Sequence, residues 1–349
     1  MESNCSANDA LNANESGPLQ PKIIYSDAYD ISLYGIERLH PFDSHKYSQT
    51  WMALRDRFGA DLVRLQLSPD APVSRDELLR VHSANYLDQL ESKSTSSATI
   101  ARALQLPLLS FLPSSLLSKA ILNPMKWATA GTILAAREAL LCHMAFNLSG
   151  GYHHAEEEQG DGFCIYSDVA VAISALRFEE QLHSGDQIVI IDLDAHQGNG
   201  LERIYMNDAS VHFFDLYNAD IYPEDDFAKT RINCNLPIVS GTDGYAYLQI
   251  VEDQLEPFLD RLYPIPKLAF YLAGTDVYEK DPLGDLKLSS DQILRRDLFV
   301  VSMLRRHGIP LVMLLSGGYT RQSYQIVSQS IGNIIASLGW LNNYKAARK

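Results

Sequence analysis

The chain has 349 residues, 46% of them hydrophobic and 21% charged, so it carries enough apolar material for a large buried core. Asp+Glu 43 against Lys+Arg 29 gives a formal net charge of −14, a balance that repels phosphate backbones and argues against direct nucleic-acid binding without a local basic patch. Four cysteines without CxxC spacing exclude a disulfide scaffold and a zinc knuckle and fit reduced thiols.

Residues 1–20, rich in Asn, Ser and Ala and without periodicity, read as a disordered leader lacking the basic and apolar regions of a secretory signal. Residues 21–341 read as one domain and 342–349 as a polar tail. Strands are expected over 22–26 and 62–67. The capping box Ser74-Arg75-Asp76-Glu77 opens a helix running towards Ser92. Helices follow over 124–142, with Pro124 in the first turn, and over 167–183. Strands at 187–194 and 211–215 precede a helix at 244–262, a strand at 268–273 and a helix at 290–306. Gly308 is placed for a left-handed cap and Pro310 opens a strand over 310–315, before a last helix at 321–338. Such alternation predicts a single α/β domain with a central, mostly parallel sheet and helices on both faces. No apolar run reaches the roughly 20 residues needed to span a bilayer, and a soluble, cytoplasmic protein is expected, or a nuclear one in a eukaryote.

In folds of this kind chemistry collects beyond the C-terminal strand ends. The run Gln187-Ile188-Val189-Ile190-Ile191-Asp192-Leu193-Asp194-Ala195-His196 takes an apolar strand directly into two carboxylates and an imidazole. Alternate residues of extended chain project to one side at about 7 Å spacing, and oxygen and nitrogen donors together suit zinc or another divalent transition metal. The plainer reading makes Asp192 a helix cap and His196 a loop residue. Asp276, ending the apolar run 268–273 after Gly274-Thr275, would complete an Asp₂His set with positions left open for water and substrate. Gly150-Gly151-Tyr152-His153-His154 places two imidazoles in one loop, suited to moving protons near neutral pH, although adjacent histidines also occur on ordinary surfaces. The acidic stretch 156–161 reads as a solvated loop. In Ser316-Gly317-Gly318-Tyr319 the phenol either donates to a developing oxyanion or simply packs.

Taken in order, GGYHH, GFC, IDLDAHQGN, AGTD and SGGY resemble the zinc-dependent histone deacetylase family over residues 22–340. HPFD at residues 40–43, DLDAHQGNG and YNADIYP are similar to its class IV branch. The resemblance implies the arginase–deacetylase fold and a metal-dependent hydrolase that removes acyl groups, acetyl and long-chain fatty acyl, from the ε-amine of lysine in proteins. Acylated lysine of a protein or peptide is then the partner. It also implies that Asp194, His196 and Asp276 hold one Zn²⁺, and that His154 is general base and acid. His153 is implied to be its electrostatic partner, oriented by Asp192, and Tyr319 to stabilise the oxyanion. Gly151, Gly162, Phe163 and Tyr222 are implied to contact substrate, Phe163 and Tyr222 walling a narrow tube and the Gly162 carbonyl accepting the substrate amide N–H. A structural K⁺ on main-chain carbonyls of the DLDAH segment is a further family feature. Two positions depart from the best-known members: Asn199 stands where a second aspartate would back the tandem histidines, making His154 less basic, and Tyr152 replaces a commoner Phe or Trp. The Pro-broken apolar stretch 104–122 reads first as buried structure and second as a receiver for an acyl chain. Three rivals remain: an amidohydrolase of small acylated amines such as acetylpolyamines, a binuclear manganese ureohydrolase lacking the DxD pair that such a site needs, and a catalytically dead acyl-lysine binder.

Overall fold

The computed structural model describes residues 20–32, 43 and 45–341. The expected leader, apart from Gln20, and the expected tail lie outside these residues, as does the HPFD motif except Asp43.

Eight strands form one sheet: β1 (Lys22–Ile24), β2 (Gln66–Leu67), β3 (Met144–Asn147), β4 (Ile188–Asp192), β5 (Val211–Asn218), β6 (Cys234–Ile238), β7 (Leu268–Leu272) and β8 (Leu311–Leu314). Their order is β2-β1-β3-β8-β7-β4-β5-β6 and every pairing is parallel. All residues of β3, β4, β7 and β8 are buried, which requires cover on both faces and explains their unbroken apolar runs. Asn123–Cys142 packs against Asp168–Phe178, and Ser323–Ser337 packs against Lys46–Phe58 and Ser290–Arg306. The α/β class read from the sequence is therefore the observed one.

Register sets up the site. Asn147, Leu314, Leu272, Asp192 and Asp215 stand opposite one another across β3, β8, β7, β4 and β5, so the segments that leave these strands open along one edge.

Several elements differ from the sequence reading. The capping box at Ser74 forms with both halves in place, but its helix stops at Leu78, and Ser83 caps a second helix, Ala84–Glu91. Between the two, His82 turns inward and is 1% exposed. Residues 62–67 split into a helical turn, Ala60–Val63, and the two-residue edge strand β2. The sequence reading passed over β3, β6 and the helix Lys46–Phe58. β6 has an edge place, alternating exposure and a proline, which edge strands tolerate. Gly308 does adopt a left-handed φ of +68° after the Ser290–Arg306 helix.

Candidate active site

The segment leaving β4 carries Asp194 and His196, and the one leaving the adjacent β7 carries Asp276. Both main chains turn where the ladder ends, and the three side chains converge. Ligand atoms of Asp194, His196 and Asp276 all lie within 4.8 Å of one another, and all three residues are buried. His196 Nδ1 is 3.0 Å from Asp194 Oδ1 and 3.1 Å from Asp276 Oδ2. Burial, then the neighbouring Asp194 carboxylate, pushes Asp276 up to about 7. Two buried carboxylates so close call for a cation. Two oxygens and one imidazole nitrogen fit a divalent transition metal, so these residues could hold one. Asp194 is further fixed by donors from the 316–319 loop: Ser316 Oγ–H at 2.9 Å and Gly317 N–H at 2.7 Å, both to Oδ2.

The tandem histidines lie in the segment following β3, their ring centroids 4.1 Å apart and their planes tilted by 52°. Each has its own acceptor. His153 Nδ1 is 2.7 Å from Asp192 Oδ2 and His154 Nδ1 is 2.7 Å from Asn199 Oδ1. This difference decides their protonation. Burial works against charge at His153, but the Asp192 and Asp194 carboxylates outweigh it and lift the imidazole to about 9. His154 has only a neutral amide oxygen; burial and then the His153 cation hold it well below the usual imidazole range. The outcome is a charged ring beside a neutral one. With Nδ1–H donated to Asn199, the Nε2 lone pair of His154 is available to take up a proton.

Tyr319, Phe163 and Tyr222 gather around these groups. The Tyr319 ring stands 6.1 Å from His196 and 5.7 Å from Phe163, both edge-on, and Tyr222 stands 5.0 Å from His154. Burial and the nearby Asp194 and Asp276 carboxylates keep the Tyr319 phenol protonated by raising its pKa. Gly162 has a φ of +51°, and a Cβ there would come 2.3 Å from His154 Cδ2, so only glycine lets the chain pass this ring. Gly151 packs against Ser316, whose single hydroxyl proton is shared between Asp194 Oδ2 at 2.9 Å and the Gly151 carbonyl at 3.2 Å. Every site residue read from the sequence thus lies in one neighbourhood.

Four polar residues here were not anticipated. Ser316 bridges Gly151 and Asp194. Asp168 accepts from the N–H groups of Gly151 and Tyr152 at 3.0 and 2.8 Å, fixing the histidine loop from behind. Asp281 accepts the Tyr319 N–H at 2.7 Å. Lys46, fully buried, donates to the carbonyls of Ser316 and Gly317 at 2.8 and 3.1 Å. Asp168 resembled a first-turn helix residue and Lys46 lies in the helix that was passed over, so neither offered a local signal.

A cavity of about 770 Å³, its open mouth included, runs from His153, His154 and Tyr319 to Leu104, Leu106, Leu109, Ile121 and Met125. The stretch 104–122 therefore supplies part of the cavity wall as well as buried structure.

Residues 40–336 match the model of the histone deacetylase domain. The chain belongs to the histone deacetylase family. It is 41% identical to "Histone deacetylase 2" of Arabidopsis thaliana over 313 residues, 89% of this chain and 78% of that protein. It is 30% identical to the "Histone deacetylase-like amidohydrolase" of Pseudomonas aeruginosa over 275 residues, 74% of this chain and 67% of that one. The crystal structure of the HDA15 HD domain superposes with a TM-score of 0.69 at 19% identity, covering 91% of each chain, which shows the shared fold. As a histone deacetylase family member the chain is a hydrolase of the deacetylase and amidohydrolase type. Among the described residues no helix is long and apolar enough to cross a membrane.

Proposed function

We propose that the chain, its catalytic domain spanning residues 21–341, is a zinc-dependent lysine deacylase of the class IV type, acting on proteins or peptides in the cytoplasm or nucleus and favouring long acyl groups. The observation that carries this reading is the convergence of three buried metal donors beside an imidazole held neutral. Asp194, His196 and Asp276 would hold Zn²⁺, which when bound polarises the acyl carbonyl and acidifies water.

The protein's own groups then divide the work. His154 Nε2 takes the proton of the attacking water, while Asn199 fixes its tautomer through Nδ1. As C–N cleavage proceeds, His154 returns that proton to the leaving lysine amine, so that amide and water become a carboxylate and a protonated amine. The His153 cation, oriented by Asp192, stabilises the negative charge of the reacting centre. Tyr319 donates its O–H to the carbonyl oxygen as charge develops there. Phe163, Tyr222 and the peptide around Gly151 and Gly162 enclose the methylenes of the lysine. Preference for long chains is supported by the cavity: its wall from Leu104 to Met125 is apolar, and each methylene buried there contributes about 0.8 kcal/mol.

The test is a substrate panel with purified, zinc-loaded protein: acetyl-lysine and myristoyl-lysine peptides and acetylated polyamines, followed by mass spectrometry. Myristoyl-lysine should be cleaved with the higher kcat/KM. Cleavage confined to polyamines would favour the small-amine amidohydrolase reading. No hydrolysis of any acyl-lysine peptide with metal bound would overturn the proposal.

A further inference from the structure

Beyond β4 and β7 lies a question of hydrogen-bond accounting. The ladder between these strands ends at Asp192 opposite Leu272, with Leu193 N–H donating to the Leu272 carbonyl at 3.1 Å. Just beyond it, the carbonyls of Leu193 and Gly274 belong to the segments that carry Asp194 and Asp276, and buried carbonyls need donors. One side chain supplies both. Arg296, 0% exposed, donates Nη1–H to Leu193 O at 3.0 Å and to Gly274 O at 2.9 Å.

The guanidinium is itself held. Its Nε donates to Asp297 Oδ1 at 2.8 Å, and Asp297 also accepts from Tyr271 O–H at 2.5 Å and Ser330 O–H at 2.6 Å. The Tyr247 hydroxyl adds a weaker bond to Leu193 O at 3.3 Å. The network therefore ties β7, the helix Ser290–Arg306 and the helix Ser323–Ser337 to the point where two adjacent strands diverge. Its neighbour Arg295 shows the contrast: it is exposed and pairs with Glu252.

We propose that Arg296 is a positioning residue for the metal centre, with Asp297 as its anchor: it fixes the separation between the chain carrying Asp194 and the chain carrying Asp276, and so sets how tightly and in what geometry the ion is held. This rests on the metal-dependent reading above. A buried ion pair contributes little net stability compared with well-packed apolar side chains, so stability is a poor explanation for a fully desolvated arginine here. Its planar fork, by contrast, presents several donors in fixed directions and can span two carbonyls and a carboxylate at once. A lysine at this place reaches only some of them. The precedent is general: groups that orient metal ligands from behind typically change affinity by about 10- to 100-fold when removed.

The test uses the full chain and Co²⁺ as a spectroscopic probe, with Zn²⁺ affinity measured by competition against a chelator. The parent protein should bind one ion. Arg296→Lys should weaken affinity by about 10- to 100-fold, Arg296→Met more, and both should shift the Co²⁺ absorption bands. Urea unfolding of the metal-free proteins measures any general loss of stability separately. Tyr271→Phe deletes one hydroxyl from the anchor and should weaken affinity less; it serves if the Arg296 variants do not fold. Unchanged affinity and unchanged Co²⁺ bands in a folded Arg296→Lys, or in Tyr271→Phe where Arg296→Lys does not fold, would overturn the inference and leave the metal site standing. Absence of binding in the parent would overturn both.

Discussion

His82 provides a sharp test of the architecture behind the histidine loop. It is 1% exposed, with Nδ1 2.9 Å from Glu156 O and Nε2 accepting the Ser167 N–H at 3.0 Å. That pattern requires a neutral ring with its proton on Nδ1, and burial lowers its pKa from 6.5 to about 4. Because the folded value lies below the unfolded one, the unfolded chain takes up the proton first. The contribution of His82 is therefore whole above pH 6.5 and is lost as pH falls towards about 4. Between pH 7 and pH 5 this linkage removes about 2 kcal/mol of stability. His82→Gln can still reach neighbouring backbone but cannot titrate. Urea unfolding of both proteins at pH 7 and pH 5, under one metal condition, gives four values. The parent should lose about 2 kcal/mol more than the variant on going to pH 5. Equal losses in the two proteins would show that His82 is not held neutral and that the Glu156 and Ser167 contacts do not set its state.

Three further outcomes are expected. Tyr319→Phe should lower kcat by about 10²- to 10³-fold with metal affinity retained, measured by steady-state kinetics and ion competition; an unchanged kcat would remove the phenol from the reaction. Leu109→Trp, at a cavity-lining site 1% exposed, should cut myristoyl turnover more than tenfold while sparing acetyl turnover, since losing two buried methylenes costs about 1.6 kcal/mol. Parallel losses on both substrates would place the acyl chain elsewhere. Gly162→Ala should destabilise the fold by about 1–3 kcal/mol through its left-handed backbone, and the Cβ beside His154 should depress kcat further, while a variant of parental stability and kcat would contradict the close approach.

The metal donors and Tyr319 were legible in the sequence because each follows an apolar strand as a short contiguous signal, and the tandem histidines because Gly150-Gly151-Tyr152-His153-His154 is such a signal by itself; the parallel register brings the ends of all these strands level. The supporting groups were not. Asp168, Asp281, Lys46 and Arg296 act across long sequence separations, and each looks locally like an ordinary helix or loop residue. Strand β6 was missed because its Cys-Asn-Leu-Pro-Ile alternates partly buried and exposed positions and carries a proline, and β3 because its four residues follow directly on the helix Asn123–Cys142. The second helix after Ser74 was merged with the first because periodicity carries across the turn at residues 79–83, where His82 leaves the helical path to enter the interior. The role of the 104–122 stretch as cavity wall depends on which leucines face inward, and that is decided by packing rather than by composition.

The ion-binding side chains leave the sheet within four residues of the last ladder pair of two central strands. The spacing of the donors is therefore inherited from the register of β4 and β7, with the 316–319 loop holding Asp194 in addition. A one-residue slip of β7 against β4 would accordingly carry Asp276 out of reach of Asp194 and His196.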